Sequence, residues 1–164
     1  MPLSAADRLD IRDLLIRYEF ASRTDKSDER SSYLKIFTED AILDGPRGYY
    51  EGIDGILAFD RQVRPTDGTK KARTRSTNFL IEGDGDHATM KCCWYKIIPR
   101  DGAPPEIRTG TYDCIARKED GVWKLAHRII RIDGMPQFKD TPAFNSSQRY
   151  VLHGDDFVLE DVNA

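Results

Sequence analysis

Ile107-Arg108-Thr109-Gly110-Thr111-Tyr112-Asp113-Cys114-Ile115-Ala116-Arg117-Lys118, then Glu119-Asp120-Gly121, then Val122-Trp123-Lys124-Leu125-Ala126-His127-Arg128-Ile129-Ile130-Arg131-Ile132, is the stretch on which the fold turns. Two runs rich in β-branched and aromatic residues, joined through Asp-Gly, predict a β-hairpin. Side chains alternate along a strand, so strict alternation places Trp123, Leu125, His127, Ile129 and Arg131 on one face. That face begins apolar and ends with His127 and Arg131 on either side of an isoleucine, as the wall of a pocket would.

Outward from the hairpin, the 164 residues fit one domain large enough for a substantial core. A net charge of −3, from 25 basic and 28 acidic residues, gives no electrostatic reason to expect nucleic acid or an anionic membrane surface. No apolar run approaches the length of a membrane span, and Met1 to Asp7 lacks a signal-peptide pattern. The three cysteines, Cys92, Cys93 and Cys114, are odd in number with two adjacent, which suits reduced thiols in a cytoplasmic protein. No Cys or His spacing suggests zinc, so no metal and no cofactor is expected.

Towards the amino end, Ser4 and Asp7 form a capping-box variant. Ile11, Leu14, Leu15, Tyr18 and Ser22 then fall on one helical face. Arg23 to Arg30 is a polar interruption, followed by a short helix packing Tyr33, Leu34, Ile36 and Phe37. Ala41 to Leu43 reads as a short strand, Asp44 to Gly48 as a turn, and Tyr49 to Glu51 as a return strand. A third helix over Ile53 to Val63 has helical spacing at Ile53, Ile56, Asp60 and Val63, and Pro65 stops it. Arg73 to Glu82, Ala88 to Ile98, Ile107 to Lys118 and Val122 to Ile132 then form a four-strand antiparallel meander, with Pro99 to Pro105 as one connection. Helices first and strands after define an α+β domain over residues 1–134. Residues 135–164, interrupted by Pro136 and Pro142, read as an irregular tail over the domain or a neighbouring subunit.

This order, with several local patterns, resembles the SnoaL-like branch of the nuclear transport factor 2-like (cystatin-like fold) superfamily. The residues that carry the likeness are Arg17-Tyr18, Phe37-Thr38-Glu39-Asp40-Ala41, Glu51-Gly52-Ile53-Asp54-Gly55-Ile56, Asn78 to Ala88, Gly110-Thr111-Tyr112 and Asp120 to Arg128. The resemblance implies a cone-shaped α+β barrel, a curved antiparallel sheet wrapped around the helices over a deep pocket. It also implies a homodimer or homotrimer. Relatives include dehydratases, ketosteroid isomerase, polyketide cyclases and epoxide hydrolases, together with the non-catalytic β subunits of ring-hydroxylating dioxygenases. A shared fold leaves the function open.

Dehydratase-like relatives commonly use a tyrosine at the end of the first helix, an acid just after it, a histidine in the first long strand and, in some, an arginine in the last. Elimination beside a carbonyl needs a base, a donor for the leaving hydroxyl and stabilisation of the enolate oxygen. Tyr18 matches the tyrosine; its plainer reading is a core aromatic. Asp25 is the nearest acid, two residues beyond the usual spacing where Arg23 stands, with Asp28 the fallback; either also suits a solvated loop. The histidine position holds Thr74 or a neighbour, so His127 is the candidate proton shuttle or a structural histidine. Arg131 matches a pocket arginine within one residue and could orient a carboxylate or carbonyl. Tyr112 and Trp94 are the expected substrate-lining residues. The resulting expectation is a cofactor-free dehydratase-like lyase or isomerase for a hydrophobic cyclic or aromatic small molecule. The alternatives are a β-subunit-like partner of an oxygenase large subunit, a small-ligand-binding module, and an epoxide hydrolase in which Asp113 and Arg131 face inward together.

Overall fold

The computed structural model describes residues 1–21, 29–63, 72–137, 148–153 and 156–161. Helix α1 (Ala5–Ala21) opens the chain, followed by α2 (Glu29–Leu34), strands β1 (Phe37–Gly45) and β2 (Gly48–Glu51), and helix α3 (Gly52–Val63). Strands β3 (Arg73–Asp84), β4 (His87–Arg100), β5 (Ala103–Glu119) and β6 (Val122–Ile132) then form the expected antiparallel meander.

The capping box forms as read: the Asp7 amide donates to Ser4 Oγ, and the Ser4 amide donates back to Asp7 Oδ2, both at 3.1 Å. Ile11, Leu14, Leu15 and Tyr18 are the buried face of α1, so 3.6-residue spacing and burial coincide. The Asp120-Gly121 turn has both residues at positive φ, 50° and 80°, the backbone that a tight two-residue hairpin requires.

The six strands lie in the order β2-β1-β6-β5-β4-β3. β1 joins β6 in parallel, pairing Phe37 with Leu125 and Ile42 with His127. Among the described residues β2 and β3 are edges that do not meet, so the sheet is curved and unclosed rather than a sealed barrel. α1 lies between β3 and β6, and α3 lies against β1 and β2, which fills the hollow of the sheet with helix. Their shared core runs from Ile11 and Leu14 on α1 through Ile53 and Ile56 on α3 to Met90 and Leu125 on the sheet.

Four expectations are corrected. Phe37 belongs to β1 and not to the second helix: the Leu125 amide donates to Ile36 O at 2.8 Å, which pulls the chain into the sheet straight after α2. The connection between β4 and β5 is not Pro99 to Pro105 but a turn at Asp101-Gly102, with Arg100 opposite Ala103. The prolines fall where the register shifts between Ile98 and Arg100, a place in a ladder where missing amide donors are tolerated. The tail is not wholly irregular. Strands β7 (Gln148–His153) and β8 (Asp156–Asp161) pair with each other, and β7 lies against β2 and α3. Phe138 and the other residues of 138–147 lie outside the described residues.

The fourth correction concerns the organising strand. β6 opposes Leu125 to Ala116 but His127 to Ile115, so Ala126 is an extra residue, a β-bulge. The bulge reverses the alternation. Trp123 and Leu125 face inward before it, and Arg128 and Ile130 face inward after it. His127, Ile129 and Arg131 are thereby carried to the convex side, against the expectation of one continuous face.

Candidate active site

The inward face of the sheet and the buried faces of the three helices meet at one cluster. Asp60, on the apolar stripe of α3, is 2% exposed and accepts hydrogen bonds from two phenols. Tyr33 of α2 donates to Oδ2 at 2.5 Å, and Tyr18 of α1 donates to Oδ1 at 3.2 Å. The two tyrosines meet edge to face at 5.8 Å, and Phe37 packs against both. These contacts fix the rings, and the carboxylate fixes the hydroxyls.

Arg128 reaches this cluster from β6. Its guanidinium carbon stands 4.1 Å from the centre of the Tyr18 ring and 4.4 Å from that of Tyr112. Cation–π attraction of this kind strengthens once water is excluded, and Arg128 is only 3% exposed. Its Nε and Nη1 are buried without a hydrogen-bond partner. An arginine stays protonated under all ordinary conditions, so a full positive charge is held inside the fold.

Tyr112 stands between two neighbours in the sheet. On one side Trp94 stacks on it at 5.5 Å with the rings 19° apart. Trp94 lies opposite Gly110, and a Cβ there would come within 2.7 Å of its indole, so the glycine makes room for the ring. On the other side Arg128 lies opposite Cys114. Trp94 is 5% exposed, and its Nε1 is a second buried donor without a partner.

Electrostatics keep the Tyr18 and Tyr112 phenols neutral. Burial raises the Tyr18 pKa far above the phenol range, and the Asp60 charge adds to it while Arg128 opposes both. Tyr112 is pushed up to about 12 by burial, again against the pull of Arg128. Among the described residues the cluster therefore holds proton donors, the Arg128 cation and the Asp60 carboxylate. Among the described residues no group of His, Cys, Asp and Glu is arranged to hold a metal ion.

Of the residues singled out from sequence, Tyr18, Tyr112 and Trp94 come together here. Asp25 and its fallback Asp28 lie outside the described residues. His127 is on the opposite face from Arg128, beside Ile42 and Ile115. Arg131 is exposed and its Nε donates to Asp113 Oδ2 at 3.1 Å on the convex side, which removes the inward-facing pair that epoxide hydrolysis needs. Arg128, Asp60 and Tyr33 were not anticipated. Asp60 was legible as an acid on an apolar helical stripe; Arg128 was hidden by the bulge.

The helices enclosed by a curved, unclosed sheet define the cystatin-like fold of the nuclear transport factor 2-like proteins. Within it the chain belongs to the SnoaL-like domain family, whose model matches residues 4–129. Among curated proteins none matches the chain in sequence. A Nostoc punctiforme protein of unknown function with a cystatin-like fold is 29% identical, covering 83% of this chain and 98% of its own, with a TM-score of 0.69. A Novosphingobium aromaticivorans protein assigned as an aromatic ring hydroxylase is 24% identical over 82% of this chain and 94% of its own, with a TM-score of 0.61. The hexachlorocyclohexane dehydrochlorinase of Novosphingobium barchaimii LL02 is 19% identical over 85% of this chain and 95% of its own, with a TM-score of 0.63.

Proposed function

We propose that the protein is a cofactor-free lyase or isomerase acting on a hydrophobic cyclic or aromatic small molecule beside a carbonyl. The observation that carries this is that Arg128, whose Nε and Nη1 have no partner, lies against Tyr18, whose hydroxyl donates to the buried Asp60. The likeness in fold to a dehydrochlorinase, an eliminating enzyme, supports the reaction type.

Proton abstraction next to a carbonyl develops negative charge on oxygen, and preorganised donors in a dry site stabilise that charge most effectively. One of Arg128 Nε and Nη1 faces this oxygen, which leaves the other for a further ligand oxygen. The proton leaves carbon for Tyr18 Oη as Tyr18 passes its own proton to Asp60 Oδ1. Collapse of the enolate then expels a leaving group on the neighbouring carbon, which is elimination, or takes the proton back at a more distant carbon, which is isomerisation. Asp60 thus fills the base role expected of Asp25, and Arg128 the orienting role expected of Arg131.

The test is exchange of α-hydrogens of 1-tetralone and 2-cyclohexenone in deuterated water, followed by proton NMR. Exchange by the wild type that falls at least about 100-fold in Asp60→Asn and Tyr18→Phe is the expected result. Absence of exchange in the folded wild type would sink the reading. A small-ligand-binding module is the second reading, favoured by one observation: both phenol protons are already committed to Asp60. Binding without exchange is its signature.

A further inference from the structure

We infer that the ligand of this site is an anion, an aromatic or cyclic carboxylate whose charge is matched by Arg128. The inference rests on the proposed small-molecule site and names the chemical class that enters it.

Arg128 is 3% exposed, and among the described residues no carboxylate forms an ion pair with it. A buried cation without a counter-ion is among the least favourable arrangements a fold can hold, because water's solvation has been lost and nothing replaces it. The faces of Tyr18 and Tyr112 supply part of what is missing, at 4.1 and 4.4 Å. Ring faces, however, attract the flat side of a guanidinium. Of its N–H groups, those on Nε and Nη1 have no acceptor.

The buried carboxylate described in the cluster, Asp60, is engaged elsewhere. Asp60 receives Tyr33 and Tyr18 through its two oxygens. Nε and Nη1 of Arg128 therefore remain for a ligand oxygen, and a charged oxygen answers both deficits together. A neutral ketone would satisfy the hydrogen bonds and leave the charge unmatched.

The remaining lining selects the body of the ligand. Trp94 and Tyr112 present stacked rings, and Tyr18, Tyr33 and Phe37 a second aromatic group. Aromatic surroundings of this kind favour an apolar ring body over a polar one. Trp94 Nε1, also without an acceptor, stands on the far side of Tyr112 from Arg128 and offers a second point for an oxygen substituent. The site thus reads one anionic end and one ring body.

The experiment uses the full chain and four probes: benzoate, 2-naphthoate and their neutral isosteres benzamide and 2-naphthamide. Affinity is measured by isothermal titration at pH 7 for the wild type, Arg128→Met and Arg128→Lys. The expected result is that each carboxylate binds the wild type about 10- to 100-fold more tightly than its amide, the range of a charge-assisted hydrogen bond. In Arg128→Met that preference disappears, while Arg128→Lys retains part of it. Should the methionine variant fail to fold, the lysine variant carries the reading, with a preference reduced but present. Equal affinity for acid and amide, a preference that survives in Arg128→Met, or no binding of any probe overturns the inference. The enzymatic reading fails separately. Carboxylate selectivity without α-hydrogen exchange keeps the ligand class and removes the lyase, whereas exchange on neutral ketones without selectivity does the reverse.

Discussion

The indole Nε1 of Trp123 donates to Asp7 Oδ1 at 2.8 Å, tying the first turn of α1 to the start of β6. Lys118 Nζ reaches the same oxygen at 2.8 Å, and Ser4 holds the other one. One carboxylate thus caps a helix and clasps the late hairpin. The hydrogen bonds from Lys118, Ser4 and Trp123 hold its pKa well below the carboxylate range. A pKa depressed in the folded state stabilises above the unfolded value, near 4, and that contribution fades as pH falls further. Asp7→Asn should therefore lower Tm at pH 6, and the gap to wild type should narrow below about pH 4. Thermal melts across pH 2.5 to 7 check this; a gap that widens in acid contradicts it.

Arg128→Met should leave stability unchanged or raise it by up to about 4 kcal/mol, because an apolar side chain of similar length replaces an unmatched buried charge. Urea unfolding of the unliganded proteins measures it. A loss of more than about 2 kcal/mol would mean that the two ring contacts alone sustain the arginine.

Tyr33→Phe removes the shorter of the two phenol–carboxylate bonds, 2.5 Å against 3.2 Å for Tyr18. It should cost about 1.5–3 kcal/mol, and Tyr18→Phe less. The order of the two urea midpoints tests whether Tyr33 is the firmer anchor of Asp60.

Gly110→Ala should be destabilising by about 1–3 kcal/mol, the usual cost of forcing atoms into a packed interior. The added Cβ would meet Arg131 O at 1.9 Å and Trp94 Cζ2 at 2.7 Å. Displacement of Trp94 should change the tryptophan emission; an unaltered spectrum with native stability would show that the strands part easily.

The thiols separate by environment. Burial pushes Cys92 up to about 11 and Cys114 up to about 12, whereas Cys93 is exposed on the other face of the same strand. Iodoacetamide at pH 8 should label Cys93 alone in the native protein and all three cysteines after denaturation. Intact mass gives the count, and peptide mapping the position.

Much of the frame was legible because it is local. The buried face of α1 follows from 3.6-residue spacing, the last hairpin from Asp120-Gly121, and β6 runs over the residues its composition marks, Val122 to Ile132. The parallel pairing of β1 with β6 was not legible, since nothing near Phe37 specifies a partner almost ninety residues away. The hairpin of β7 and β8 was passed over although Tyr150-Val151-Leu152 and Phe157-Val158-Leu159 are β-rich on either side of Gly154-Asp155. Tyr18 was singled out through the resemblance, as the tyrosine at the end of the first helix, and it lies beside Tyr112 in the cluster around Arg128. Arg128 itself was not singled out, because Ala126 carries no turn chemistry and only the ladder across to Ile115 and Ala116 reveals it as surplus.

That surplus alanine also governs how this chain should be matched with its relatives. Wherever a homologue lacks the extra residue, a gapless alignment through this strand sets a lining side chain of one protein beside a solvent-facing one of the other. Residue roles transferred column by column would then pass to His127 or Arg131, while the position equivalent in space is Arg128. Against such a homologue the strand is correctly matched only when a gap is opened at Ala126.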